Sequence, residues 1–280
     1  MINASERRII ASVLAAAALI AILSGCRKSG GGNADGTADA TETAVVTTKE
    51  PLSTVIIDLN TTKPPAETGS DDNDHTGTKL PLTLDAGAEY IDKITFLCDF
   101  PVYGLRSLGM LSEGRKTDNV VTGIGGSFFV TSEEPMLYAS EYGGLMTVSD
   151  YVSKRRPEYL LLAVGTSDIA APHPLPYDRF GDSYTSLIEK IREASPRTVI
   201  ICMSILPGSE SSGISIYNAE NYNSRIISAA EATGVYYLDA ASAFAGSNGY
   251  LRADCDGGDS RLSTTGLRRL LDMIRTHCAG

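Results

Sequence analysis

From about residue 90 onward, short apolar runs alternate along the chain with amphipathic stretches. Each apolar run is too short for a typical buried helix and consists largely of Val, Ile, Leu and Tyr, a pattern that indicates strands covered on both faces. The predicted strands are Ile94–Cys98, Tyr159–Val164, Thr198–Cys202 and Val235–Leu238.

The stretches between these runs predict helices at 148–155, 182–194, 219–232 and 264–276. In the last of them, the apolar residues recur at i, i+3, i+4 and i+7 and form one stripe, namely Leu267, Leu270, Leu271 and Ile274. Strands that alternate with helices predict an α/β protein in which helices cover both faces of a parallel sheet. We therefore expect one domain, a three-layer α/β/α sandwich with a central parallel sheet.

The first residues of the chain have the layout of a secretory signal. Arg7 and Arg8 precede an apolar run from Ile9 to Leu23, which is shorter than the roughly 20 residues that span a bilayer. The run closes on Leu23-Ser24-Gly25-Cys26, which resembles the bacterial lipobox. This resemblance implies that Cys26 is acylated after cleavage and anchors the protein to the outer face of the cell membrane. An ordinary signal peptide or an uncleaved anchor remains the alternative.

The composition divides the rest of the chain into a stalk and a folded domain. Residues 27–88 are rich in Thr, Ala, Gly, Asp and Pro, and such a segment buries too little apolar surface to offset its ordering entropy. The expected organisation is a signal peptide at 1–26, a disordered stalk at 27–88 and the folded domain at 89–280. Within the stalk, the apolar run Ser53–Leu59 is either a linker patch or a docking peptide.

The charge of the chain bears on the class of partner that it can bind. The net charge of −10 argues against nucleic acid as a partner, because phosphate binding depends on clustered Lys and Arg.

Cys98 and Cys202 end strand-like runs and are expected to be buried thiols, whereas Cys255 and Cys278 could pair. Asp254, Asp256 and Asp259 lack the ligand spacing and closing Glu of a calcium loop. We therefore expect neither a metal nor a cofactor.

Ligands bind beyond the carboxyl ends of the strands in open parallel sheets, so the residues that follow each strand are the candidates for a site. The segment from Ile94 to Leu105 resembles the first block of the SGNH (GDSL) hydrolase family, I-x-F-[LI]-G-D-S-x-T-x-G. The segment Leu162–Asp168 is similar to the third block, L-x-x-G-x-N-D, and Gly258–Gly266 to the last, G-D-G-x-H-L-N-x-x-G. The resemblance covers residues 90–280 and implies a flavodoxin-like α/β/α fold.

The family hydrolyses esters with a Ser nucleophile, a His base and an Asp that orients the His, and the resemblance places different residues at these positions. Phe100 stands at the nucleophile position and has no attacking atom. Arg261 stands at the base position, where its guanidinium stays protonated at neutral pH. Gly258, or Asp259 if one residue is deleted, stands at the position of the Asp. The resemblance thus implies a degenerate triad.

The family's oxyanion hole uses the amide of the Ser, a Gly amide and an Asn side chain. Here Ser167 stands at the position of the Asn, and Gly125 or Gly126 could supply the Gly amide. The ligand cleft implied by the resemblance comprises Asp99, Phe100, Gly125, Gly126, Ser167, Asp168, Asp259 and Arg261.

Three functions remain open at the level of sequence. The first is an inactive hydrolase scaffold that binds cell-wall glycan, acylated polysaccharide or protein. The second is an active extracellular esterase or deacetylase with a rearranged site, in which His173 would activate Ser127 or Ser167, because a Ser nucleophile needs a neutral imidazole or an equivalent base. The third is a structural surface module. Fold resemblance alone does not separate them.

Overall fold

The computed structural model of the protein describes residues 78–279. Five parallel strands form one sheet in the order β2-β1-β5-β6-β7, and two further strands pair as an antiparallel hairpin. This order is the flavodoxin-like order that the resemblance implied. The strands are β1 (Ile94–Cys98), β2 (Val120–Val121), β3 (Met136–Ala139), β4 (Gly144–Thr147), β5 (Tyr159–Ala163), β6 (Val199–Met203) and β7 (Tyr236–Leu238).

Four long or amphipathic helices and four short ones surround the sheet. The helices are α1 (Gly87–Asp92), α2 (Gly104–Ser107), α3 (Val148–Arg155), α4 (Thr166–Ile169), α5 (Tyr177–Ala194), α6 (Ile216–Thr233), α7 (Ala241–Phe244) and α8 (Thr264–Arg275). Within residues 78–279, none of them combines the length and the hydropathy that a membrane span requires.

The sheet separates two hydrophobic cores, because successive side chains of a strand point to opposite faces. In β5, Leu160 and Leu162 belong to the core that contains α3, α5 and α6, whereas Leu161 and Ala163 belong to the core that contains α1, α7 and α8. Every residue of β1 is buried, as expected for a strand covered on both faces. The three-layer α/β/α sandwich predicted from the sequence is confirmed.

The predicted helices are present, but two of them begin earlier than their apolar periodicity indicated. Helix α5 begins at Tyr177, directly after Pro176, rather than at residue 182. Helix α6 begins at Ile216 rather than at residue 219, because the Ser215 hydroxyl accepts a hydrogen bond from the Asn218 amide and so caps the first turn. Helix α8 begins after a similar cap, in which the Ser263 hydroxyl accepts from the Gly266 amide.

Residues before the domain boundary predicted at residue 89 contact the last strand of the sheet. The Tyr237 amide donates to the Thr78 carbonyl and the Leu80 amide donates to the Tyr237 carbonyl, both at 2.8 Å, so these residues lie parallel to β7. Leu80 is buried, and Lys79 pairs with Asp239 at 2.6 Å. Residues 78–80 therefore pack against the sheet, although the sequence predicted that the domain begins at residue 89. Cys26 and the segment Ser53–Leu59 lie outside the described residues.

The four described cysteines carry free thiols. Cys98 and Cys202 are buried, as their places at the ends of apolar runs suggested, and burial raises the pKa of the Cys202 thiol to about 12. Cys255 is buried as well, and the Cys278 thiol lies against the carbonyl of Arg275 at 3.0 Å. The structure does not pair Cys255 with Cys278.

Candidate ligand cleft

A cavity of about 790 Å³ opens beyond the carboxyl ends of β1 and β2. Four segments form its walls: the turn after β1 together with α2, the glycine-rich turn after β2, the β3–β4 hairpin, and the turn that leads into α8. The lining residues are Phe100, Tyr103, Gly104, Arg106, Ser107, Leu108, Val120, Thr122, Gly123, Ile124, Gly125, Gly126, Tyr138, Leu145, Gly257, Arg261, Leu262, Ser263 and Thr264.

Phe100 and the glycine-rich turn meet at one wall of the cavity. Phe100 is half-buried, and a Cβ atom built on Gly126 would lie 4.0 Å from its Cβ. Gly125 and Gly126 have φ angles of 68° and 89°, which favour glycine. The Gly126 amide donates to the Gly123 carbonyl at 3.3 Å, so it is already engaged within the turn. Gly125 and Gly126 thus line the cavity together with Phe100.

A tight turn carries Arg261 to another wall of the cavity. The Gly257 amide donates to the Arg261 carbonyl at 2.8 Å, and the Leu262 amide donates to the Pro101 carbonyl at 3.1 Å, which ties the turn to the segment after β1. Gly258, Asp259 and Ser260 have φ angles of 85°, 52° and 56°.

Backbone strain of this kind concentrates at functional sites. The Arg261 side chain is exposed and forms no ion pair with any residue between 78 and 279.

Asp99, which the resemblance placed in the cleft, lies beneath it instead. Its side chain is fully buried. Oδ1 accepts hydrogen bonds from the Phe128 amide and the Ser167 hydroxyl, each at 2.7 Å, and Oδ2 accepts from the amides of Gly165 (2.9 Å) and Ser167 (3.1 Å). Burial raises the pKa of Asp99 to about 6, while the hydrogen bonds, that from the Ser167 hydroxyl foremost, act in the opposite direction.

Ser167 and Asp168 are likewise buried rather than lining the cavity. Because the Ser167 hydroxyl is bound to Asp99, it does not stand in for the side chain of an oxyanion-hole Asn. Asp168 accepts hydrogen bonds from the Val130 amide (3.1 Å) and from both the amide (3.1 Å) and the hydroxyl (2.6 Å) of Thr131. Burial raises the pKa of Asp168. Together the two carboxylates hold the segment that follows the glycine-rich turn.

The two candidates for the triad Asp also lie outside the cavity lining. Gly258 and Asp259 belong to the strained turn, and Asp259 forms no ion pair with Arg261. Asp254 pairs with Arg252 at 3.0 Å, and Asp256 accepts a hydrogen bond from the Gly258 amide at 2.8 Å. The carboxylates of Asp254 and Asp256 are therefore bound by neighbouring residues and do not converge on a common position.

No described histidine lines the cavity. His173 is exposed in the loop between α4 and α5, and the His277 Nδ1 atom lies 2.9 Å from the Met273 carbonyl oxygen near the C-terminus. His75 lies outside the described residues. Within residues 78–279, the Ser167 hydroxyl donates to Asp99, and neither Ser127 nor His173 lines the cavity.

Sequence reasoning missed several residues that line the cavity, among them Arg106, Thr122, Tyr138 and Leu145. Tyr138 and Leu145 are register partners in the β3–β4 hairpin. The alternation in Met136–Ala139, followed by Gly143 and Gly144 at positive φ, is a hairpin signal that could have been recognised. Arg106 has no comparable signal, because only tertiary contacts bring it to the cavity.

The family model for the GDSL-like lipase/acylhydrolase family matches residues 103–277. The chain therefore belongs to that family. A search of curated proteins found no match.

Several solved structures resemble the chain. A GDSL-like lipase from Bacteroides thetaiotaomicron is 16% identical, with 66% of this chain and 87% of that chain covered and a TM-score of 0.45. The OSK domain of Drosophila Oskar is 17% identical, with 75% and 99% covered and a TM-score of 0.44. A carbohydrate esterase of family 3 from Talaromyces cellulolyticus is 20% identical, with 45% and 59% covered and a TM-score of 0.37.

Proposed function

We propose that this domain binds a ligand in the cavity beyond β1 and does not hydrolyse esters. One observation carries the proposal: among the described residues that line the cavity there are two arginines, but no Asp, Glu or His. A Ser or Thr hydroxyl needs a neighbouring base to become a nucleophile. The cavity offers hydroxyl groups without a group that could take their proton.

The substitutions at the two reacting positions support this proposal. Phe100 supplies an apolar face where a nucleophile would stand, and Arg261 supplies a permanent positive charge where a base would stand. Ser263 is occupied as the cap of α8, where its hydroxyl accepts from the Gly266 amide and donates to the Asp254 carbonyl. Removing even one triad member reduces catalysis by several orders of magnitude.

The active esterase and the structural surface module are the alternative functions. The first would require His173 to approach a Ser nucleophile, and the exposed position of His173 outside the cavity lining weighs against it. The second would leave the cavity without a ligand.

We place the domain at the outer face of the cell membrane, held by a lipid on Cys26, because Leu23–Cys26 resembles a lipobox. Cell-wall glycan, acylated polysaccharide and protein are the ligand classes that the sequence allowed.

The test is an esterase assay on the chain from residue 26 to the C-terminus carrying Cys26→Ser, which cannot be acylated there and is purified without detergent. With p-nitrophenyl acetate and butyrate, we expect hydrolysis at the rate of the buffer blank. The double variant Phe100→Ser, Arg261→His should hydrolyse the acetate faster than the blank, whereas neither single variant should. Turnover by the Cys26→Ser chain that is lost on His173→Ala would instead establish the rearranged esterase.

A further inference from the structure

The cavity is positively charged, although the chain as a whole carries a net charge of −10. Arg106 donates hydrogen bonds to the Val120 carbonyl (3.3 Å) and the Ser140 hydroxyl (3.0 Å), so part of its hydrogen-bonding capacity is used by the protein. Arg261 forms no ion pair with a described residue. An exposed guanidinium in a cavity without carboxylates favours an anionic ligand, and its planar fork matches a carboxylate group.

The rim of the same cavity is apolar. Four of its residues are among the large hydrophobic side chains that the structure leaves exposed: Ile124 is 69% exposed, Tyr138 51%, Leu145 49% and Leu108 48%. Apolar side chains that cluster around one opening mark a binding site more often than scattered ones do. Phe100 continues this apolar surface into the cavity. The rim fits an aliphatic chain.

Thr122 is another polar residue of the cavity lining. This residue is only 7% exposed, and its hydroxyl has no hydrogen-bond partner within residues 78–279. Because its oxygen is closed off from solvent, Arg261 and not Thr122 is the group that offers hydrogen bonds to a ligand. Arg106 lies on the same side of the cavity as Thr122, because its guanidinium donates to the carbonyl of Val120, two residues before Thr122.

We propose that the cavity binds an amphiphilic carboxylate, with the anionic group held by Arg261 and the aliphatic chain against Ile124 and its neighbours on the rim. This inference rests on the proposed function, since it requires a cavity that retains its ligand without hydrolysing it. An amphiphilic carboxylate is a more specific ligand class than the glycan, acylated polysaccharide or protein that the sequence allowed. The anionic group distinguishes this ligand from a neutral molecule with the same aliphatic chain, because the neutral molecule offers no charged partner to Arg261.

The experiment compares octanoate, 1-octanol, acetate and glucuronate by isothermal titration calorimetry on the Cys26→Ser chain. We expect octanoate to bind at least about tenfold more tightly than each of the other three, because a hydrogen bond to a charged group and the burial of the chain both contribute. Arg261→Gln should weaken octanoate binding at least about tenfold, and Ile124→Ser should weaken it by a smaller factor. Arg268→Gln, at an exposed position of α8 outside the cavity, is the matched control and should leave it unchanged.

Equal affinity for octanoate and 1-octanol would overturn the proposal, as would unchanged octanoate binding in Arg261→Gln. Tighter binding of glucuronate would overturn it in favour of an anionic glycan. The run Ser53–Leu59 combines apolar residues with Asp58, so the chain itself holds a competing carboxylate. If Asp58→Asn raises the affinity for octanoate tenfold, this segment is the occupant and the proposal of a free ligand fails. Ester turnover would instead contradict the proposed function, whatever the octanoate result.

Discussion

The residues beneath the cleft and those that line it are neighbours in sequence, but they differ in how completely their polar atoms are paired. Asp99 and Asp168 accept seven hydrogen bonds between them, all from buried or partly buried donors. One residue further along the chain from Asp99, Phe100 presents an apolar face to the cavity. The Thr122 hydroxyl and the Arg261 guanidinium have no partner among residues 78–279.

This difference shows which parts of a hydrolase scaffold depend on the fold and which depend on the chemistry. The buried carboxylates fix the loops at the end of the sheet, so their loss would affect folding whether or not the protein turns over a substrate. Arg261 in the cavity forms no ion pair with any described residue, so the fold does not depend on it in this way. The catalytic positions can therefore change while the layer beneath them retains its hydrogen bonds.

The largest effect is expected for Asp99→Asn. Whichever oxygen becomes the amide nitrogen would place N–H groups against two donors, so we expect a loss of about 3 kcal/mol in the free energy of unfolding. Urea denaturation followed by circular dichroism measures it. Asp182→Asn on the exposed face of α5 is the control and should remain within about 0.5 kcal/mol. A loss below about 1 kcal/mol for Asp99→Asn would contradict the structural role given to this carboxylate.

Ser167→Ala should follow, with a loss of about 2 kcal/mol at pH 8, because its hydroxyl donates to a buried carboxylate. That hydrogen bond lowers the pKa of Asp99, so it favours the ionised form, and its contribution is present above the pKa of about 6. The loss should therefore shrink as the pH falls from 8 to 5. Denaturation curves at both pH values, with exposed Ser247→Ala as the reference, test this. A loss that grows toward pH 5 would show the opposite linkage.

Thr122→Val should change stability in the other direction. Its hydroxyl is buried and has no hydrogen-bond partner among the described residues, so an isosteric methyl group is expected to raise the free energy of unfolding by about 1 kcal/mol. The comparison is Thr131→Val, where the hydroxyl donates to Asp168 at 2.6 Å and the same replacement should destabilise the domain. If both variants lose stability by the same amount, the contrast between the cavity wall and the layer beneath it is wrong.

The smallest effect is expected for Arg261→Gln, which should change the free energy of unfolding by less than about 0.5 kcal/mol, because the exposed side chain forms no ion pair in the part of the chain that the structure describes. Arg155→Gln provides the contrast: Arg155 is partly buried and bridges Glu141 and Asn119 at 3.1 and 2.7 Å, so its variant should unfold at a lower denaturant concentration. Destabilisation by Arg261→Gln as large as that by Arg155→Gln would assign Arg261 to the fold.

The layers of the fold could be predicted because they depend on local patterns. Apolar runs identified four of the five strands of the sheet, and the stripe of α8 identified its buried face. Strand β2 escaped prediction because it is only two residues long. The pairing of Lys79 with Tyr237 escaped as well, since nothing near Lys79 indicates a partner so far along the chain.

The site could be predicted only in part, for a physical reason. Motif positions place Phe100 and Arg261, whose chain neighbours form the cavity walls. They do not reveal which way a substituted side chain turns. Ser167 stands at the position that the resemblance gives to an Asn. Its shorter side chain donates a hydrogen bond to the buried Asp99 carboxylate and does not line the cavity. The direction of that hydroxyl depends on tertiary contacts that a motif does not contain.

The short pairing beside β7 also determines how the domain would respond to mechanical load. If a lipid on Cys26 holds the protein, drag on the domain would pull on the chain from the N-terminal side of residue 78. Among the described residues, the contacts nearest to that side are the two hydrogen bonds to Tyr237 and the ion pair between Lys79 and Asp239. They lie at the edge of the sheet opposite β2. Force on these contacts would separate residues 78–80 from β7, whereas the cleft lies beyond the carboxyl ends of β1 and β2.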